Sequence, residues 1–566
     1  MRDGADHDIG VGLLQIEDCL DADGGIALPP DVTLISLIQR NIVSVADAVA
    51  YRFLDFAGGA GPVVNEITWR ALGVRMQAVG HHVQSVAARG ERVAIMAPQG
   101  LDYIAGFFAA LNAGTIAVPL FAPELPGHAE RLDTALRDAR PTAVLTTSRA
   151  REAIESFLDG TALPERPAVI AIDQVPDAAA ADFQPTLIDV DDVSHLQYTG
   201  GATRAPVGVE ITHRAVGTNL LQMILSIDLL DRNTHGVSWL PLYHDMGLSM
   251  IGFPAVYGGH STLMAPTAFI RRPLRWIEAL SAGSRIGRVV TAAPNFAYEW
   301  TAQRGVPRDP ADVDLSNVVM IIGSEPVSIS AIDTFRAAFA PFGLSPSAFK
   351  PSYGLAEATL FVATIDPGAE VSVVHLDRGR LSEGRAEPVA AGDPAALPVV
   401  SCGHVARSLS CVIVDPSSRT ELADGLVGEI WLQGDNVGRG YWGRSGETEH
   451  TFGGRLAATN EAGGHASGAA LDRTWLRTGD LGFYLEGELY VVGRLADLVI
   501  VAERATGTAR ADPVAAIAEI RTAVEDRHGL PVADVRVVPA GSIPRTTSGK
   551  LARLACRDAY VAGAFG

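Results

Sequence analysis

The chain has 566 residues, 48% of them hydrophobic, enough to build several buried cores. Its 45 basic and 65 acidic residues leave a formal charge of −20, which argues against a nucleic-acid partner or an anionic membrane surface held by charge. Four scattered cysteines (Cys19, Cys402, Cys411, Cys556) have no metal-ligand spacing, fit a reduced, cytoplasmic setting, and give a catalytic thiol no support.

The N-terminal run MRDGADHDIGVG is acidic and lacks the basic-then-apolar order of a signal peptide. The longest apolar region, 103–123, is interrupted by Asn112-Ala113-Gly114, so it reads as a buried helix turning into a buried strand and not as a transmembrane segment. A soluble protein is expected. Two lysines, Lys350 and Lys550, stand against 43 arginines. In such a background a lysine marks a position where arginine does not serve.

Residues 1–50 offer a helical pattern (Leu34, Leu37, Ile38, Ile42) and no chemistry. Strands are then expected near 49–53, 92–96, 115–120, 142–147 and 168–172, with helices between them from about Trp69 and Asp102. Continuous apolar strands alternating with helices indicate an α/β fold of parallel sheets covered on both faces, whose strand-end loops bind ligands. The stretch 196–212 reads as strand, loop and strand, the loop being Thr199-Gly200-Gly201-Ala202-Thr203-Arg204-Ala205-Pro206-Val207-Gly208. Backbone N–H groups and Thr hydroxyls there can cradle anionic oxygens, although no Walker lysine follows.

Trp239 to Leu248 (WLPLYHDMGL) carries His244 beside Asp245. Adjacent side chains seldom face each other, which leaves a pocket-lining or a merely hydrogen-bonded histidine, and disfavours a His–Asp relay. Strand-to-helix turns follow at 290–297 and at Gly323-Ser324-Glu325. Lys350 to Thr359 then sets Tyr353, Gly354 and Glu357 in close order, where an aromatic can stack a purine and a carboxylate can hold hydrated Mg²⁺. A core tyrosine and a solvated glutamate are the plainer readings of the same residues.

From about 366 the composition turns small, polar and proline-bearing, as in an insertion with one isolated strand-like segment, 371–376. Beyond it, a β-rich subdomain is expected, and 456–470 reads as a loose surface loop. Asp480, at the Thr478-Gly479-Asp480 turn, suits a ribose diol or its own backbone. The polar loop 541–550 carries Lys550, whose compact ammonium suits a shifting phosphate charge.

In this order, WLPLYHDMGL, YGLAEATL (353–360), GDNVGRGYW (434–442) and WLRTGDLGF (475–483) resemble the acyl-adenylate-forming (ANL) enzymes, and most closely the fatty acyl-AMP ligases that feed polyketide synthases. The resemblance runs from about residue 34 to 558, and the 366–402 insertion sits where these ligases, unlike coenzyme A ligases, carry one. It implies a large adenylate-forming domain over 1–492, with the β-rich subdomain over 403–492, then a shortened, mobile α+β domain over 493–566. It implies ATP and Mg²⁺ as cofactors, a long-chain fatty acid as substrate, acyl-AMP and pyrophosphate as products, and an acyl carrier protein of a polyketide or nonribosomal synthetase as acceptor.

Carried over residue by residue, Thr199, Gly200, Gly201, Ala202, Thr203 and Gly208 would hold phosphates, while Gly323, Ser324, Glu325, Tyr353 and Gly354 would line the adenine. Glu357 would meet the metal, Asp480 the ribose, and Arg494 the ribose or phosphates. Lys550 would bridge carboxylate and α-phosphate. His244 would stand at the mouth of an acyl pocket walled by Met246, Gly247 and Ile251. Departures accompany these matches. Gly200 and Ala202 lack the family's serine hydroxyls, Ala496 replaces an Asp or Lys hinge, and Glu503 replaces a glycine. They motivate an alternative, an impaired homologue that binds nucleotide, acyl-adenylate or a carrier protein; a coenzyme A ligase is the third reading.

Overall fold

The computed structural model describes residues 13–58, 61–123, 129–199, 206–229, 233–460, 463–467, 469–470, 473–494, 499–504, 534–539 and 541–544, with isolated positions between 516 and 559. Two large sheets dominate it. One runs, from edge to edge, His404–Val405, Phe361–Thr364, Phe349–Gly354, Val318–Ile322, Val289–Ala293, His235–Ser238, His260–Met264, Val49–Asp55 and Val63–Thr68. Its six central strands are parallel, with antiparallel strands at both ends. The other runs Gly440–Tyr441, Gly208–Thr212, Val193–Tyr198, Ile116–Pro119, Arg92–Ile95, Ala143–Thr146 and Ala168–Ala171, again parallel at its centre. The strands expected near 49–53, 92–96, 115–120, 142–147 and 168–172 all form.

Helices Leu101–Asn112, His213–Ser226 and Asp245–Tyr257 fill the space between the two sheets. A helix in that position has no solvent face, and Asp245–Tyr257 is accordingly buried from Met246 onward except at Ser249. Each fully buried large side chain there contributes about 1.5–3 kcal/mol. Thr212 starts the second helix by accepting the Ala215 N–H at 3.1 Å on its hydroxyl.

The β-rich subdomain is an antiparallel sheet in the order Thr420–Glu421, Leu409–Asp415, Gly428–Gly434, Leu476–Leu485, Glu488–Arg494. The insertion is more ordered than its composition suggests. Val373–Asp377 pairs antiparallel with Ala396–Val400, and the short helix Arg378–Ser382 follows the first strand. Leu376, Leu381 and Ala386 pack on Phe483 and Tyr490 of the β-rich sheet. Lys350 explains itself here: fully buried, its Nζ donates at 3.0 Å to the carbonyls of both Asp366 and Ala369, pinning the insertion's first turn.

The 456–470 stretch is not loose among its described residues. The buried Glu421 carboxylate accepts the N–H groups of Asn460, His465 and Ala466 at 2.8, 2.6 and 3.0 Å, and Gln433 Oε1 accepts Ala470 N–H at 2.7 Å. Beyond Arg494, Val499–Glu503 pairs parallel with Asp534–Val538. Lys550 and Ala496 lie outside the described residues, as do Gly200, Gly201, Ala202 and Thr203.

Candidate active site

The C-terminal ends of the central strands converge on a group that the sequence scatters over nearly 300 positions. Tyr353, closing the strand Phe349–Gly354, donates its hydroxyl to Asp480 Oδ2 at 2.7 Å. Arg494, ending the strand Glu488–Arg494, donates Nε–H to Asp480 Oδ1 at 2.9 Å. Asp480 and Arg494 face each other because their strands pair in register. The carboxylate is 5% exposed, and burial pushes its pKa above the usual range while Arg494 and the Tyr353 hydroxyl pull it back. The arginine side chain is itself 60% exposed, so it can turn toward a ligand without leaving water.

Glu357 joins this group. It is half-buried and not solvated: its Oε1 accepts the Tyr441 hydroxyl at 2.8 Å, and its carbonyl accepts Gly438 N–H at 2.9 Å. Tyr441 lies in the GDNVGRGYW run, a motif legible in the sequence without a role for this residue. Two residues on, Thr359 holds φ 67°, ψ −55°, a strained turn for a β-branched residue, fixed by its hydroxyl donating to Asn436 O at 2.7 Å. Ser324, φ 68°, is the other left-handed non-glycine residue here.

Gly323, Ser324, Tyr353 and Gly354 line one cavity of about 460 Å³, together with Met246 and Ala292. A side chain at Gly323 would sit 2.6 Å from Ser352 O, so the strand ends pack too closely for anything larger. Glu325 is placed differently: exposed and absent from the cavity lining, its Oε1 accepts Asn295 N–H at 2.9 Å and caps the helix Asn295–Arg304. A second cavity, of about 480 Å³, lies between helices His213–Ser226 and Asp245–Tyr257 and the strand Val193–Tyr198. Ile251 lines it, and Ser249 and Leu360 belong to both cavities. Gly247 lines neither; a side chain there would run into the Pro241 carbonyl.

His244 and Asp245 correct the sequence expectation, for Nδ1 lies 2.6 Å from Asp245 Oδ1. The reason is local. His244 is the extended residue before the helix and Asp245 its first turn, so both side chains converge on the free N–H groups there, and Asp245 Oδ1 also accepts Met246 N–H at 2.6 Å. Asp245 raises the His244 pKa against the effect of burial. Burial works against the Asp245 carboxylate, yet the imidazole beside it holds the pKa below the usual range.

In the phosphate-loop region, Thr199 N–H donates to Val207 O at 3.1 Å, and its buried Oγ1 has no hydrogen-bond partner. The Tyr198 ring lies against Gly208, where an added Cβ would meet it at 3.1 Å. Among the described residues no group of three or more His, Cys, Asp or Glu gathers as a metal cage, and no helix is long and apolar enough to cross a membrane.

The family model for AMP-binding enzymes matches residues 39–442. The chain is 40% identical to the long-chain-fatty-acid–AMP ligase FadD32 of Mycolicibacterium smegmatis over 96% of each chain. It is 36% identical to the long-chain-fatty-acid–AMP ligase FadD26 of Mycobacterium marinum, covering 94% of this chain and 98% of that one. A solved fatty acyl-adenylate ligase from L. pneumophila, in complex with acyl adenylate and pyrophosphate, matches with a TM-score of 0.73 at 27% identity, covering 94% of this chain and 96% of its own. The chain therefore belongs to the AMP-binding enzymes of the acyl-adenylate-forming superfamily, in its fatty acyl-AMP ligase branch.

Proposed function

We propose that this protein uses ATP to convert a long-chain fatty acid to its acyl-AMP, and that the acyl group passes on to the phosphopantetheine thiol of an acyl carrier protein. The observation that carries the reading is the buried Tyr353–Asp480–Arg494 group beside Glu357 and the 460 Å³ cavity. A buried carboxylate with an exposed arginine is matched to a ribose diol and its adjoining phosphate. Tyr353 and the closely packed Gly323 and Gly354 suit a flat purine.

In the reaction a fatty acid carboxylate oxygen bonds to the α-phosphorus while the bond to the β-phosphate oxygen breaks, releasing pyrophosphate. The nucleophile is already an anion, so no general base is required; position and charge stabilisation carry the step. Thr199 Oγ1, buried and unpartnered, is a hydroxyl waiting for an acceptor, as a phosphate cradle needs. Mg²⁺ fits the residues present: Glu357 offers one half-buried carboxylate, and this ion takes its other ligands from phosphate and water. When bound, it neutralises charge on the departing pyrophosphate. Lys550 is assigned the developing charge between carboxylate and α-phosphate. His244, with its pKa raised, is a cation at the helix start where the fatty acid carboxylate enters. Met246 and Ile251 wall the acyl chain.

Fatty-acid-dependent exchange of pyrophosphate into ATP tests the reading. Exchange that requires a fatty acid and is lost in Lys550→Ala supports it. Nucleotide binding without exchange at any chain length would favour the impaired-homologue reading that Gly200 and Ala202 motivate.

A further inference from the structure

We propose that the 480 Å³ cavity recognises a hydroxyl group, so that the preferred substrate is a fatty acid hydroxylated in the body or at the end of its chain. The proposal rests on the adenylation reading above and deepens it.

The cavity has two chemistries. Phe107, Val216, Leu220, Leu248 and Ile251 form an apolar wall. Opposite stand His195 and Gln197, two apart on the strand Val193–Tyr198 and so on one face of it. Both are buried, 5% and 2% exposed. Gln197 Nε2–H donates to Tyr243 O at 3.0 Å, which fixes the amide and makes Oε1 the acceptor; that oxygen is buried without a partner. His195 sets its ring edge against Phe107, and its hydrogen bond among the described residues is at Nδ1, 3.2 Å from Ser194 Oγ. Nε2 is left for a ligand.

A buried acceptor without a donor is a standing penalty, and a methylene chain cannot remove it. A hydroxyl can. Its O–H donates to Gln197 Oε1 while its oxygen accepts from His195 Nε2–H, the tautomer set when Ser194 Oγ–H donates to Nδ1. Burial pushes the His195 pKa down to about 3, so the ring is neutral and offers hydrogen bonds without charge. A second carboxylate has no proton for Gln197 and would face Asp245, which also lines the cavity. An ammonium would sit in an apolar space where Asp245 is already paired with His244. Position along the chain follows from the shared lining. A fatty acid with its carboxylate near Gly323 and Ser324 passes Ser249 and Leu360 before reaching His195 and Gln197, so the hydroxyl is remote from the carboxylate.

The test compares lauric acid with its mid-chain and terminal hydroxy derivatives on the full chain, by pyrophosphate exchange and, without turnover, by calorimetry. At least one hydroxy acid should show about tenfold higher kcat/KM, carried by KM, and tighter binding. His195→Phe and Gln197→Met should each bring the hydroxy-to-plain ratio toward one. A wild-type ratio of one in both assays, or a preference untouched by both substitutions, overturns the proposal. Exchange with lauric acid but no hydroxyl preference sinks this inference alone, whereas binding with no exchange for any acid sinks the ligase reading.

Discussion

Replacing Tyr353 by Phe keeps the ring that lines the cavity and deletes only the hydroxyl that donates to Asp480 at 2.7 Å. The two residues are 8% and 5% exposed, so water cannot take the hydroxyl's place. A hydrogen bond to a buried charged group is worth about 1.5–3 kcal/mol, and Tyr353→Phe should lose that much stability at neutral pH in urea denaturation. Its pH dependence carries the sharper test. Burial raises the Asp480 pKa above the unfolded value of 3.8, so between those two values the folded state binds the proton more tightly and stability falls as pH rises. Without the hydroxyl the folded pKa climbs further and that falling window extends upward. The gap between wild type and variant should therefore be small in acid, where both hold a protonated Asp480, and open to its full size as pH rises. AMP affinity should weaken over the same range, because the anion offered to the ribose is then less well oriented. A stability gap that is absent, or constant across pH, refutes the assignment of this hydroxyl to the Asp480 carboxylate.

Other outcomes follow from named contacts. Burial, then Arg288, lowers the Lys350 pKa to about 8 from 10.5, so the unfolded chain holds more protons between those values and stability gains about 3 kcal/mol from this group as pH rises from 8 to 10.5. Lys350→Met should remove that rise in urea denaturation, and an unchanged pH slope contradicts the assignment. Gly247→Ala drives a methyl into the Pro241 carbonyl and should cost about 1–3 kcal/mol while displacing His244; a variant of wild-type stability contradicts it. Gly200→Ser with Ala202→Ser restores two hydroxyl donors and should tighten ATP binding by about tenfold or more in calorimetry, whereas unchanged affinity makes the loop a structural turn.

Much of the fold was legible because parallel strands buried on both faces, such as 143–146 and 318–322, are continuous apolar runs between helices. The functional group was legible only as separate residues. Nothing in the sequence joins Tyr353 to Asp480 and Arg494 across more than 120 positions; the register of two strands does. Misreadings came where a single buried side chain organises a polar segment. Glu421 ties down the Gly- and Ala-rich 456–470 run by three backbone N–H groups, and Lys350 ties down the insertion by two carbonyls. Composition sees the small residues and misses the anchor. The His244–Asp245 pair was missed for a different reason: the general rule that adjacent side chains diverge fails at a helix start, where both turn toward the same free N–H groups. The rarity of lysine marked Lys350 correctly as a place where arginine does not fit, though its task is structural.

The central claim is adenylation, and the direct measurement is the product. Protein incubated with ATP, Mg²⁺ and a series of fatty acids, then quenched for mass spectrometry, should yield acyl-AMP and an equal amount of pyrophosphate, with both lost in Lys550→Ala and Asp480→Ala. Nucleotide binding without acyl-AMP for any acid, or acyl-AMP formed equally well by both variants, contradicts the account.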